Sequence, residues 1–89
     1  MQIKGKIVTA LPEARGVSKA GKPWRKREYV LETQESYPKK IAFEVMNDRI
    51  DQMNIQVGLL YTVEVNAESR EYNGKWYTTL TGWKVTPGI

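Results

Sequence analysis

The sequence predicts one small all-β domain, and three observations support this: its length, its residue alternation and its turn residues. The 89 residues, 40% of them hydrophobic, are enough for one modest core. Five segments alternate apolar and polar residues with the period of two that half-buried strands show. Because nine aromatic residues are spread along the chain and 27% of residues are charged, wholesale disorder is not expected.

The first strand is predicted over residues 3–11, where Ile3 and Ile7 share one face. Gly5 inside it predicts a bulge or a sharp coil at which the strand serves two parts of a sheet. Residues 12–23 contain two prolines, two glycines and scattered bases. Such a segment predicts a long mobile loop, and long loops are candidate functional sites.

A hairpin and a short helix are predicted next. Residues 24–33 and 39–46 form the two strands of the hairpin, joined by a short polar connection. Asn47 or Asp48 is expected to cap a helix that ends at Asn54.

The last two strands are predicted over residues 59–67 and 75–85, with residues 68–74 as the connection between them. Asn73-Gly74 is the pair that best tolerates positive φ in a two-residue hairpin turn. A bulge at Gly82 is expected, because it would let apolar residues on both sides of it share one face.

This element order favours a five-stranded OB-fold Greek-key barrel with a short helix between strands three and four. Closing the sheet hides both of its edges and one apolar face. An SH3-like barrel is the alternative, but its short helix usually precedes the last strand. The domain is expected to span residues 1–86, with 87–89 as a frayed end.

Several function classes are disfavoured by composition. The chain has no cysteine and no histidine, which excludes a disulfide scaffold and a Ser–His or Cys–His nucleophile. No phosphate-binding glycine motif appears, and helix capping explains Asp48 and Asp51 more simply than a metal site does. No signal peptide or membrane span is visible, so a soluble, cytoplasmic domain is expected. Because no catalytic or cofactor-binding motif is found, the domain is also expected to be non-catalytic and to hold no cofactor.

The net charge of +4 is unevenly distributed. Residues 15–40 carry eight bases and three acids, whereas residues 41–89 carry four bases and six acids. A positive end on a near-neutral body suits a phosphate backbone, although ordinary solvated lysines would give the same pattern.

Three segments also resemble a known family: residues 21–33 (GKPWRKREYVLET), 37–45 (YPKKIAFEV) and 69–80 (SREYNGKWYTTL). They resemble small bacterial OB-fold proteins of uncharacterised function, distantly similar to single-stranded DNA-binding proteins, and the resemblance covers residues 3–85. It implies a flexible Pro-rich tail with an acidic, hydrophobic tip. The sequence ends at Ile89 without one, which leaves two expectations open: the tail lies beyond Ile89, or docking through such a tail is missing.

OB barrels bind oligonucleotides across the second and third strands, between the loop joining strands one and two and the loop joining strands four and five. Bases and aromatic residues occur in both loops and on the hairpin between them, where aromatic rings would stack bases and cations would neutralise phosphates. The candidate nucleic-acid-binding residues are Arg15, Lys19, Lys22, Trp24, Arg25, Lys26, Arg27, Lys39, Lys40, Arg70, Tyr72, Lys75, Trp76 and Tyr77.

Each candidate also has a simpler interpretation. Trp24 and Trp76 would equally suit the ends of a barrel core, and Trp83 is expected to pack. The three consecutive bases 25–27 cannot all face one way on a strand, so one or two would only be solvated. The sequence predicts binding of single-stranded nucleic acid, DNA favoured over RNA, by a homo-oligomer (dimer or tetramer). The alternative is a protein-interaction or structural OB module.

Overall fold

The computed structural model describes all residues from 1 to 89 and contains six strands and one helix. The elements are β1 (Gln2–Ala10), β2 (Ala14–Val17), β3 (Pro23–Glu32), β4 (Lys40–Met46), α1 (Arg49–Met53), β5 (Leu60–Tyr72) and β6 (Lys75–Pro87). The five predicted strands and the helix are present in the predicted order. The sixth strand, β2, was not predicted.

The five long strands are paired in a ring. β1 pairs with β5 through its first half and with β3 through its second half, as predicted for a strand that serves two parts of a sheet. β3 pairs with β4, β4 meets β6 in parallel where Glu44 lies opposite Thr81, and β6 pairs with β5. Gly5 lies where β1 changes partner, and a Cβ atom there would overlap the carbonyl oxygen of Glu32. Only glycine therefore fits this crossing without displacing β3.

The predicted mobile loop at residues 12–23 is wrong in part, because β2 pairs with the first four residues of β3. A tight turn over residues 18–22 joins them, in which the Ser18 amide donates to the carbonyl of Lys22 at 2.8 Å. Gly21 supplies the positive φ that this turn requires. The segment is a short hairpin that extends the start of β3.

Eleven buried hydrophobic residues form the core inside the ring. They are Ile3, Ile7, Tyr29, Leu31, Phe43, Val45, Ile50, Ile55, Tyr61, Val63 and Val65. A register shift beside Gly82 confirms the predicted bulge, and Leu80 and Val85 both pack against the core as a result. Trp83 lies at the shift and is 41% exposed, so its predicted packing role is wrong.

The helix α1 follows β4 and contributes Ile50 to the core. The predicted side-chain cap is wrong, because Asp48 has helical backbone angles and its side chain makes no capping hydrogen bond. The side chain of Asn47 is used elsewhere: its Oδ1 accepts a hydrogen bond from the backbone amide of Arg25 at 3.1 Å.

β5 and β6 are longer than predicted and extend beyond the ring as a two-stranded arm, residues 66–80. Within the arm the two strands pair only with each other, up to the turn at Asn73 and Gly74. Both turn residues have positive φ, which confirms the predicted hairpin turn. Residues 68–72 were expected in the connection, but they are strand residues exposed on both faces.

At the C-terminus, Pro87 lies opposite Tyr61, and the Gly88 amide donates to the carbonyl of Leu60 at 2.8 Å. No helix in the structure has the length and apolar character needed to traverse a lipid bilayer.

Candidate nucleic-acid interface

β3 presents its cationic residues on two different faces. Arg25 and Arg27 share the parity of the buried Tyr29, whereas Trp24 and Lys26 lie on the outer face. As the sequence argument expects, the three consecutive bases do not share one face, because two of them point to one side of β3 and the third to the other.

Arg25 is occupied by carboxylates. Its guanidinium lies 3.0 Å from Glu13, 2.5 Å from Asp51 and 3.6 Å from Asp48, and its side chain is only 27% exposed. The pKa of Asp51 is lowered by its hydrogen bond to Arg25, and that of Glu13 is lowered by hydrogen bonds to Arg15 and then Arg25. We call these four side chains (Arg25, Glu13, Asp48 and Asp51) the Arg25 cluster. It ties α1 and the β1–β2 connection to β3, and it leaves the predicted phosphate ligand Arg25 already paired.

Arg27 is also engaged within the protein. Its Nε donates to the backbone carbonyl of Leu11 at 3.0 Å, and its guanidinium lies 5.7 Å from the ring centroid of Tyr29. Arg27 borders a concavity beside α1, on the opposite side of β3 from Lys26. Arg25 and Arg27 therefore do not join Lys26 on one surface.

Trp24 is half-buried and packs against Gly16, which lies opposite it in the β2–β3 hairpin. A Cβ atom at Gly16 would come within 2.5 Å of the indole, so glycine at this position is what permits the close approach. The Nζ atom of Lys26 lies 6.0 Å from the ring centroid, within reach of a cation–π interaction. The ring is thereby held at the outer face of β3 rather than inside the core.

The arm has two distinct faces, set by the pairing of β5 with β6. Arg70 lies opposite Tyr77, and Tyr72 opposite Lys75, so these four residues share one face. Trp76 lies opposite Glu71 on the other face. The sequence analysis placed Trp76 and Tyr77 in one groove, but adjacent strand residues point to opposite sides.

The face of the arm that carries Arg70 and Tyr77 borders a concavity of about 210 Å³ together with the outer face of β3, and we call this concavity the groove. Its lining residues are Lys26, Glu44, Glu68, Arg70, Tyr77, Thr79 and Thr81. Two acids accompany the two bases: Lys26 lies 3.6 Å from Glu44, and Arg70 lies 3.6 Å from Glu68. The floor of the groove is thus balanced in charge.

The remaining predicted cations surround the groove or lie away from it. Arg15, Lys19 and Lys22 are exposed on the β2–β3 hairpin, next to a concavity of about 470 Å³ that Arg15 and Trp24 help to line. Lys39 and Lys40 lie at the opposite end of the β3–β4 hairpin, since Lys40 pairs with Glu32. Lys40 is six residue steps along β4 from Met46, which lies opposite Lys26, and this distance is about 20 Å.

Sequence reasoning missed the acids that pair with these cations. Glu44 could have been found, because its parity on β4 places it outside the core that Phe43 and Val45 form. Glu13 and Glu68 carried no comparable signal. The structure contains no group of three or more His, Cys, Asp or Glu side chains arranged to hold a metal ion.

The architecture is an OB fold, and solved structures with low sequence identity share it. The second OB-fold domain of replication protein A from Methanococcus maripaludis superposes with a TM-score of 0.68 at 16% identity, over 97% of this chain and 80% of that one. The dimeric N-terminal domain of PriB protein from Thermoanaerobacter tencongensis gives 0.69 at 20% identity, over 100% and 94%. A small single-stranded DNA-binding protein from Streptomyces coelicolor gives 0.53 at 9% identity, over 100% and 93%.

Within this fold class the chain belongs to the family described as a domain of unknown function, DUF3127, whose match spans residues 2–86. Among curated proteins, none matches the chain.

Proposed function

We propose that this protein is a non-catalytic module that binds single-stranded nucleic acid, with DNA favoured over RNA and little sequence preference. The observation that carries the proposal is the groove, to which β3 and the arm, far apart in sequence, contribute Lys26, Arg70 and Tyr77 together. The exposed Tyr72 and Lys75 continue the same face of the arm towards its tip.

In the proposed binding mode, bases stack on the rings that face the groove while the backbone follows the cations at its borders. Tyr77 lines the groove and Tyr72 continues the same face of the arm, and both present flat surfaces on which bases can stack, whatever their sequence. Trp24 lines the neighbouring concavity on the β2–β3 hairpin and would stack a base there. Lys26 and Arg70 reach phosphates from within the groove, and Lys22 and Lys75 reach them from the two hairpin tips.

Two comparisons are consistent with this proposal. One solved structure with the same fold is named as a single-stranded DNA-binding protein, and another as part of replication protein A. Because single-stranded DNA is exposed in the cytoplasm of a bacterium during replication and repair, the proposal places the protein there.

The test is a titration of labelled dT, rU and duplex probes at two salt concentrations, read by fluorescence anisotropy. We expect binding to dT with a micromolar or lower Kd at low salt, weaker binding to rU, and little binding to duplex. Lys26→Glu should weaken binding, whereas Lys40→Glu is the matched control because Lys40 lies about 20 Å away along β4. No anisotropy change at protein concentrations well above micromolar would refute the proposal.

The alternative function is a protein-interaction module without nucleic-acid binding. The balanced groove favours it, because Glu44 and Glu68 offset Lys26 and Arg70 and would repel phosphates. Under this alternative, Lys26→Glu and Lys40→Glu would behave alike in the titration, since no probe would bind either variant.

We further infer that the protein acts as a homo-oligomer, at least a dimer, because a barrel of this size gains avidity when several copies bind one strand. Light scattering of the free protein tests this inference. A mass that stays at the 10.2 kDa of one chain at high concentration would contradict it.

A further inference from the structure

The outer edge of β5 is unpaired along the arm. β1 covers β5 only up to Glu64, which lies opposite Gln2, and the Val65 amide donates to the carbonyl of Met1 at 2.8 Å. Beyond that point, residues 66–72 pair with β6 on one side and with nothing on the other. A row of seven residues is therefore open to a further strand.

This edge lacks most of the features that prevent strand pairing. Natural edge strands are protected by prolines, charged side chains (lysine above all), bulges or short length, and the charges here are Glu68, Arg70 and Glu71. Residues 66–72 (NAESREY) contain no proline, lysine or glycine, and their pairing with β6 has no register shift. By contrast, the free edge of β2 is only four residues long and contains a glycine.

We propose that this edge pairs with the same edge of a second copy, antiparallel, about a two-fold axis at Ser69. Side chains that lie directly opposite each other in an antiparallel pair point to the same face of the sheet. A two-fold axis perpendicular to the sheet preserves the two faces, so an odd-numbered residue must lie opposite an odd-numbered one and an even-numbered residue opposite an even-numbered one. The axis therefore passes between the two copies of a single residue. With the axis at Ser69, all seven residues overlap, Asn66 facing the partner's Tyr72 and Glu68 facing the partner's Arg70.

The neighbouring registers are disfavoured by charge. An axis at Glu68 would place two glutamates opposite each other, and an axis at Arg70 would place two arginines opposite each other. Like charges directly opposite in a sheet are destabilising, whereas opposite charges stabilise the pair. The register with the longest overlap is therefore also the one that forms two pairs of opposite charge, each between Glu68 of one copy and Arg70 of the other. Both side chains are free to reach a partner, since Glu68 is 73% exposed and Arg70 is 84% exposed.

The pairing would extend the groove face across the dimer. Glu68, Arg70 and Tyr72 lie on the face that borders the groove, so the partner's Tyr72 and Arg70 would continue that face beyond the arm. The arm has a second free edge, residues 75–80 of β6, but that edge carries Lys75, a residue type that protects edges from pairing. Because the β5 edge pairs with itself about a two-fold axis, this contact closes at two copies. This inference identifies the edge used in the proposed oligomer, and it does not depend on nucleic-acid binding.

Cysteine crosslinking tests the axis directly, since the chain has no other cysteine. In Ser69→Cys, the two thiols would sit on directly opposed residues with Cα atoms about 4.5–5.5 Å apart, within disulfide range. Thr78→Cys is the matched control: Thr78 lies opposite Ser69 on β6, so its two copies would be three strand spacings apart, about 14 Å. A disulfide dimer of Ser69→Cys but not of Thr78→Cys under mild oxidation is expected. Equal crosslinking of the two variants would overturn the proposal. So would the absence of a Ser69→Cys disulfide dimer at about 0.5 mM protein, a concentration at which even a dimer with a Kd near 1 mM is populated.

A charge exchange tests the register. Glu68→Arg or Arg70→Glu alone would create two like-charge pairs in the dimer, and sedimentation should show dimerisation weakened about tenfold or more. The double variant E68R/R70E restores opposite charges across the axis and should recover the wild-type dimer constant. Single variants that dimerise like the wild type, or a double variant weaker than both, would refute the register. These readouts use no nucleic acid, so they separate this inference from the proposed function.

Discussion

Replacing Tyr77 by alanine should weaken binding to single-stranded DNA, whereas replacing the adjacent Trp76 should not. Tyr77 borders the groove with Lys26 and Arg70, and Trp76 lies on the other face of the arm. A ring that stacks one base contributes about 1–3 kcal/mol, so Tyr77→Ala should raise the Kd by about 5- to 150-fold.

The two rings make a closely matched pair of variants. They are neighbours on β6, and their exposed fractions are similar, 55% for Tyr77 and 68% for Trp76. Because both are largely solvent-exposed, each substitution should change the free energy of unfolding by no more than about 0.5 kcal/mol. Urea denaturation of each variant checks this before binding is compared.

The assay is anisotropy of labelled dT at low salt, with both alanine variants and the wild type measured side by side. The larger loss of affinity should belong to Tyr77→Ala even though tryptophan is the larger ring. If Trp76→Ala lost more affinity than Tyr77→Ala, the ligand would not follow the groove, and the facing argument would be refuted.

Three further predictions concern salt, packing and pH. If each of the four cations in the groove and at the hairpin tips contacts one phosphate, the slope of log K against log salt for dT should be about −3, and a slope near zero would contradict cationic binding. Gly5→Ala should lower the free energy of unfolding by about 1–3 kcal/mol in urea, because its methyl group would overlap the backbone of β3; unchanged stability would show that the crossing can relax. The pKa values of Glu13 and Asp51 are lowered from 4.5 and 3.8 in the folded protein. The pairing of Glu13 with Arg15 and then Arg25, and of Asp51 with Arg25, therefore stabilises the protein above these values and is lost as the pH falls through the lower folded values. Arg25→Met should therefore show a smaller loss of stability between about pH 5 and pH 2 than the wild type does, and an equal loss would assign the acid sensitivity to other groups.

Much of the fold could be predicted because buried strands alternate. Phe43 and Val45 on β4, and Val63 and Val65 on β5, show that alternation directly. β2 could not be predicted, because Ala14–Val17 has no apolar face and forms a strand only through its pairing with β3. Such pairing through a turn leaves no periodic pattern in the short segment itself.

The candidate site was less predictable than the fold, because charge sums do not show which charges meet. Glu13 and Asp51 converge on Arg25 from 12 and 26 residues away. The separation of Trp76 from Tyr77 was available from strand parity. It was missed because Trp76, the second residue of the predicted strand 75–85, was grouped with the loop that precedes it and not by its parity on the strand.

The position of β5 between β1 and β6 brings the two ends of the chain close together. Gln2 lies opposite Glu64 on one side of β5, and Pro87 lies opposite Tyr61 on the other. Two strand spacings and three residues of offset amount to about 14 Å, which a linker of roughly five residues can span. A circular permutant joined there and opened between Asn73 and Gly74 would keep every strand pair of the ring, because the ring is held by pairing and not by the order in which its strands are synthesised.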